Sequence, residues 1–383
     1  LTRSSAASDV YKRQTYMLWR FANFSRSISS FFQSWNVFGL LFNTVSVFFA
    51  VVLTSVLVGL LISIVTVRFE FKGSKILFTL CALPLVIPSY IGALTYISAF
   101  SPKGLFVQIF NRYGIEEISG IEGFLGSWIV LTLFTYPYVQ LICSSALRNL
   151  DSTVEDAARS LGVSQFKVYT NVVIPRLKKP IVYSSLLVGL YVISDFGAVS
   201  LMRYSTVTKA IYAYYELSIL SDPVIFYSSL LIVLALLISF IQRGSATSRS
   251  AKVSGTPRIP KKIRLERNGK VLVYSFLGGI IFLGLLIPVA VLSFWLFRGL
   301  YYGTDVTTSF PGILGSFSAS IVTSLLAIII SMPIVILISQ YKSRFGDILE
   351  KIMLSLYGLP HLAVGVSILF ISIKMFPSIY QSF

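Results

Sequence analysis

Apolar runs long enough to cross a lipid bilayer recur eight times along the chain, near residues 40–66, 76–100, 125–147, 181–202, 224–242, 271–297, 317–340 and 352–374. A helix needs about 20 residues to traverse a hydrocarbon core of about 30 Å. Inside lipid, every backbone amide must find its partner within its own segment or within a closed barrel. Runs of this length therefore predict an all-α, polytopic bundle of transmembrane helices. Charged residues make up 12% of the chain, against about 25% in an average soluble domain, which agrees with that class.

The formal net charge is +17, and its placement decides what it is for. When the connections between spans are taken alternately, one set carries 21 Lys and Arg residues and the other carries 5. The rich set includes Arg68, Lys72 and Lys75, the stretch from Arg148 to Lys179, nine residues between Arg243 and Lys270, and Lys342, Arg344 and Lys351. Such asymmetry orients a membrane protein with the basic side in the cytoplasm. The charge is thus accounted for by membrane topology, and no nucleic-acid partner is expected. Cys81 and Cys143 fall within apolar spans and offer neither a disulfide framework nor metal-ligand spacing. His361 is the single histidine and follows Pro360 in an apolar run, so it reads as a packed or hydrogen-bonded side chain.

Residues 1–14 differ in character from everything after them, and Asp9-Val10-Tyr11-Lys12-Arg13-Gln14 resembles a translated transposase-adapter sequence. They are set aside from fold reasoning. Displacing the chain by 276 residues aligns Asn43–Ala93 with Ala319–Leu369 without a gap. Most identities in it are apolar and carry little weight. The Arg68-Phe69 match to Arg344-Phe345 and the Leu83-Pro84 match to Leu359-Pro360 carry more. Two parallel copies in one chain suit a transport protein with its path between the halves. The expected organisation is a first half over 15–242, a flexible basic cytoplasmic linker over 243–270, and a second half over 271–383 that breaks off before completion. The intact protein is expected to be longer at both ends.

The connection over 148–180 has order of its own: RNLDSTVEDAARSLGVSQFKVYTNVVIPRLKKP. Asp151 or Ser152 can cap a helix whose first turn holds Glu155 and Asp156, where acidic groups favour the dipole. Ala157, Ala158 and Leu161 give a small apolar face, and Gly162 ends the helix. A second short helix from Ser164 carries Phe166, Val168, Tyr169, Val172 and Val173 and is expected to stop at Pro175. Together they predict a compact knob beneath the membrane that another protein can grip.

These residues resemble the EAA loop of ABC importer permeases, which reads Glu-Ala-Ala, three residues, Gly, nine residues, then Ile-x-Leu-Pro. Here Asp156-Ala157-Ala158 is followed at that spacing by Gly162 and by Val172-x-Ile174-Pro175. The resemblance implies a type I importer fold in which Glu155, Asp156, Ala157, Ala158, Gly162, Val172, Ile174 and Pro175 couple the permease to a cytoplasmic ATPase. It implies two such ATPase subunits, with ATP and Mg on them and no cofactor on this chain. A binding protein would deliver substrate at the outer, periplasmic or extracellular, face of a bacterial cytoplasmic membrane. The sequence holds no phosphate-cradling Gly-x4-Gly-Lys-Ser/Thr loop, since Gly73-Ser74-Lys75 lacks the upstream glycine. The chain reads as a transport subunit and not as an enzyme. The repeat further predicts a second EAA-like loop near position 432.

Beyond residue 14 the chain resembles the fused two-half ferric iron permeases, notably in Ser194–Tyr204, Lys209-Ala210-Ile211-Tyr212 and Leu83–Tyr90. Fused thiamine and phosphonate permeases share much of that scaffold, and a polyamine or another small solute stays open as cargo. Asp195 is the candidate path residue: a carboxylate within a span costs about 2.5–3.5 kcal/mol at the bilayer centre and usually faces a polar interior. It suits a hard cation, or it lies near the outer interface and pairs with Arg203. Any metal ligands remain unassigned. Pro84, Pro88 and Pro360 interrupt their spans, as path or as kink. A secondary transporter driven by an ion gradient is the rival class, and it has no use for an EAA loop.

Overall fold

The computed structural model describes residues 36–102, 104–111, 120–150, 153–217, 222–246, 262–304, 310–340 and 346. The adapter-like segment, Asp151, Ser152, His361 and the span at 352–374 lie outside the described residues. The architecture is helical, as the apolar runs require. Among the described residues, four helices are long and apolar enough to cross a membrane, and two bent pairs raise the number to six if each is one span.

Helix α1 (Val37–Arg68) leads through the two-residue strand β1 (Phe69–Glu70) into α2 (Ser74–Ala82). A tight turn over Leu83–Val86 precedes α3 (Ser89–Phe100) and α4 (Leu105–Phe110). Helix α5 (Gly123–Arg148) is followed by the expected knob: α6 (Thr153–Ser160), α7 (Gln165–Val168), a wide π turn over Tyr169–Val173 and α8 (Ile174–Arg176). Then come α9 (Lys178–Ser194), α10 (Gly197–Leu201), α11 (Val207–Leu217) and α12 (Asp222–Ala246). Strand β2 (Ile263–Arg264) opens the remainder, with α13 (Arg267–Ile281), a second π turn over Phe282–Leu286, α14 (Ile287–Tyr301) and α15 (Phe310–Gln340).

The centre is a packed trio of α1, α5 and α9. Val47, Val51, Val130, Leu131, Val188 and Val192 form its apolar interior. Lipid tails are as apolar as Leu, so helix association in a membrane relies on close packing and interhelical hydrogen bonds. Both are present. The Thr54 and Thr132 hydroxyls lie 2.9 Å apart, those of Ser55 and Thr135 3.0 Å apart, and Ser63 donates to the Gln140 carbonyl at 2.9 Å.

Two spans are broken. The Ser74–Val86 and Ser89–Gln108 segments meet at 96°. Ile87 and Pro88 between them are extended, as a residue before proline prefers. Carbonyls near the end of α2 find donors on α5: Tyr136 Oη donates to Cys81 at 2.6 Å and Gln140 Nε2 to Phe78 at 2.8 Å. This is how a membrane protein tolerates interrupted helix at depth. The second break separates α9 from α10 at Asp195 and Phe196, where the sequence reads as one continuous span over 181–202.

The linker also differs from expectation. Helix α12 continues to Ala246, and Phe69↔Ile263 and Glu70↔Arg264 pair as parallel strands, so both ends of the 243–270 stretch are structured. Helices α13 and α14 form one 35-residue segment lying on α2 and α3. Its π turn leaves the Leu283 carbonyl to the Tyr96 hydroxyl at 2.8 Å. Cys81 and Cys143 are buried free thiols, consistent with packing roles.

Candidate functional site

At the basic end of the bundle, α6 inverts the usual polarity of a surface helix. The side chain of Glu155 is 2% exposed, whereas Asp156 and Ala157 are exposed and Leu161 is 84% exposed. Glu155 Oε1 accepts from Arg68 Nη2 at 2.7 Å, and the Arg68 side chain is itself 3% exposed. Burial pushes the Glu155 carboxyl above the usual carboxylate range, against the pull of Arg68, Arg159 and Arg176. Arg68 Nε and Nη1 have no hydrogen-bond partner among the described residues, so Glu155 is the group that answers its charge.

The bend after α6 forms as the glycine spacing predicts. Gly162 has φ of +78°, its amide donates to Arg159 at 2.9 Å, and the Val163 amide reaches back to Ala158 at 3.1 Å. That is the paired closure of a glycine-ended helix. The second helix does not stop at Pro175 as expected. The π turn over Tyr169–Val173 shifts the hydrogen-bond register, and Pro175 then sits in the first turn of α8, where a missing N–H costs little. The chain bends by 61° at Leu177 instead. Val172 and Ile174 are half-buried and Pro175 is exposed. Val173 and Leu177 are buried, with Leu147, against the ends of α1 and α5. Phe69 stacks on Tyr169 with ring centres 6.3 Å apart.

Asp195 lies at the opposite end of α9, roughly 26 Å from Lys178 at about 1.5 Å per residue. It does not pair with Arg203, which bonds Glu122 at 3.1 Å on an exposed surface. One carboxylate oxygen accepts from the Ser89 hydroxyl, and the other accepts from the Ala198 amide at 2.9 Å. The Asp195 carbonyl takes the Thr208 hydroxyl at 2.8 Å. Asp195 thereby ties the start of α3 to the start of α10. Gly197 is needed there, since a Cβ would sit 2.6 Å from Cβ of Tyr90. The two breaks line a cavity of about 570 Å3, with Ser89, Tyr191, Ser194, Asp195 and Ser200 supplying its oxygens. Among the described residues, no group of three His, Cys, Asp or Glu side chains comes together to hold a metal ion.

Sequence reasoning missed Arg68 and Ser89 as partners of the two carboxylates. The repeated Arg-Phe pair was a signal for the first, and the Pro88-Ser89 break for the second.

Residues 55–248, which carry the latter part of α1, all of α5 and α9, both breaks and the knob, match the model of the binding-protein-dependent transport system inner membrane component family. The chain belongs to that family. It is therefore a permease of the ABC type I importer class and a multi-pass membrane protein. Among curated relatives, it is 28% identical over 352 residues to the Fe(3+)-transport system permease protein FbpB 2 of Haemophilus influenzae, covering 90% of this chain and 65% of that protein. It is 28% identical over 141 residues to the sulfate transport system permease protein CysT of Salmonella typhimurium, covering 37% of this chain and 50% of that protein. A probable sulfate permease protein of Marchantia polymorpha is 28% identical over 144 residues, 38% of this chain and 49% of its own length. The chain thus spans roughly half to two-thirds of the length of the relatives it matches.

Proposed function

We propose that this permease carries ferric iron inward, as part of an importer of the bacterial cytoplasmic membrane. A binding protein delivers the cargo at the outer face. Two cytoplasmic ATPase subunits, which hold the ATP and Mg, drive reorientation of the bundle through the 148–180 loop. The observation that carries the reading is the inverted polarity of α6, with its Glu155 buried and Ala157 and Leu161 facing outward. Exposed apolar groups on a membrane protein's cytoplasmic knob call for a protein partner.

Asp195 and the hydroxyls around it support a hard cation as cargo, because such ions favour oxygen ligands. A single carboxylate in a cavity whose lining is otherwise mostly apolar suits transit better than retention. It also disfavours sulfate, a dianion that the carboxylate repels. The Fe(3+)-transport relative aligns over 90% of this chain, whereas the two sulfate permeases named above align over 38% and 37%.

The test is uptake by the native-length permease, reconstituted in proteoliposomes with its ATPase and binding protein. ATP-dependent accumulation of ferric iron, unaffected by excess sulfate, is expected. Sulfate uptake in its place would overturn the cargo, and uptake driven by membrane potential without ATP would overturn the coupling.

A further inference from the structure

The Arg-Phe pair that recurs at 68–69 and 344–345 has no part in cargo or in ATPase contact as described so far, yet its first copy sits at a junction of three segments. Arg68 closes α1 and holds Glu155 of α6 at 2.7 Å. Phe69 stacks on Tyr169 in the π turn of the same knob. Phe69 also opens β1, whose pairing with Ile263-Arg264 ties the entry of α13 to this point, with Arg264 bonding Glu70 at 3.4 Å.

We infer that Arg68-Phe69 is the seat of the coupling loop: it fixes α6 to the cytoplasmic end of the first span, so that movement of the loop becomes movement of α1. The inference rests on the proposed coupling to an ATPase. It divides the two adjacent acids by task. Glu155 belongs to the seat, and Asp156, on the exposed side of α6, belongs to the partner surface. Arg68 is accordingly a positioning residue.

Energetics favours this role over simple stabilisation. A fully buried ion pair loses in desolvation much of what it gains in attraction, and well-packed apolar residues of similar volume often serve stability equally well. What a buried pair adds is geometric uniqueness, since one short contact has one register. The apolar cluster of Leu147, Val173 and Leu177 next to it already supplies adhesion. By sequence register alone, Arg344-Phe345 is the counterpart of this pair in the repeat. Its structure lies outside the described residues.

The test compares variants of the native-length permease, assembled with its ATPase and binding protein in proteoliposomes. Three quantities are read: ATPase co-purification, ATP hydrolysis, and substrate transported per ATP hydrolysed. Because R68Q alone strands a buried acid and risks misfolding, the principal variant is the double substitution R68M/E155L, which replaces the pair by apolar groups. R68K keeps the charge and one bond. The expectation for R68M/E155L is full ATPase co-purification with transport per ATP lowered about tenfold, a coupling loss of ordinary allosteric size. R68K is expected to recover part of it. D156K is expected to do the opposite, weakening co-purification. Transport per ATP at the wild-type level in a folded R68M/E155L complex would overturn the seat. Loss of co-purification in R68M/E155L equal to that in D156K would overturn the division of tasks. If wild-type permease transports without any ATPase, the coupling reading itself falls, and that result is distinguishable because it precedes any substitution.

Discussion

Glu155 and Asp195 are both carboxylates at the border of membrane spans, and they are held in opposite ways. Glu155 is matched to a guanidinium, Arg68, and sealed from water on a knob that turns Asp156, Ala157 and Leu161 outward. Asp195 is held by neutral donors, the Ser89 hydroxyl and the Ala198 amide, and it borders a cavity. A carboxylate cancelled by a cation has no charge left to offer and serves as a fastening. Asp195 instead lines a cavity and lies beside whatever enters it. Under the proposed function, the difference separates a fastening at the knob from a cargo-facing group at the far end.

The comparison breaks most visibly if one partner of the buried pair is removed. Glu155→Leu alone leaves the Arg68 guanidinium buried without an answer, and a loss of about 3 kcal/mol is expected from thermal unfolding of the detergent-solubilised permease. At the other end, Ser89→Ala removes one donor to a charged acceptor and is expected to cost about 1.5 kcal/mol by the same measurement. Should the two losses come out in reverse order, the contrast between sealed and open carboxylates would not hold.

Asp195→Asn sharpens the contrast in function. An amide oxygen can still accept from the Ala198 amide, so folding is expected to persist. Ferric iron uptake is expected to fall about tenfold, equivalent to about 1.4 kcal/mol, with ATP hydrolysis maintained. The smallest effect is expected from Gly162→Ala. No atom lies within 4 Å of the added Cβ, so only the φ of +78° opposes it. A cost of about 1 kcal/mol, read in unfolding, is expected.

Much of this was legible in the sequence, and the parts that were not share a cause. Long apolar runs gave α1 and α5 within three residues and the end of α15, though α15 starts seven residues earlier than its run, because length and hydropathy are local properties. The knob was legible for the same reason: Gly162, the first-turn acids and the fixed spacing are all near neighbours. The break at Asp195 was not, since no proline precedes it and it is held by Ser89, 106 residues away. Arg68 and Glu155 are 87 residues apart, and nothing local announces their pairing. Pro175 misled because the preceding π turn moved it into a position that tolerates proline. Helices α1 and α15 make the same point from the other side. They align residue for residue in the repeat, yet Ser55 is buried against Thr135 while Ser331 is exposed and bonds its own helix at Ile328. A helix sequence offers a face, and only a partner decides whether that face is covered.

The most direct measurement places a photo-activatable cross-linker at Ala157, on the exposed side of α6, in the assembled and transport-competent complex. An adduct with the ATPase subunit, with a yield that changes when ATP is added, is the result expected of a loop that passes motion from ATPase to pore. A complex that still imports its cargo while Ala157 cross-links only to lipid or to the permease would contradict it.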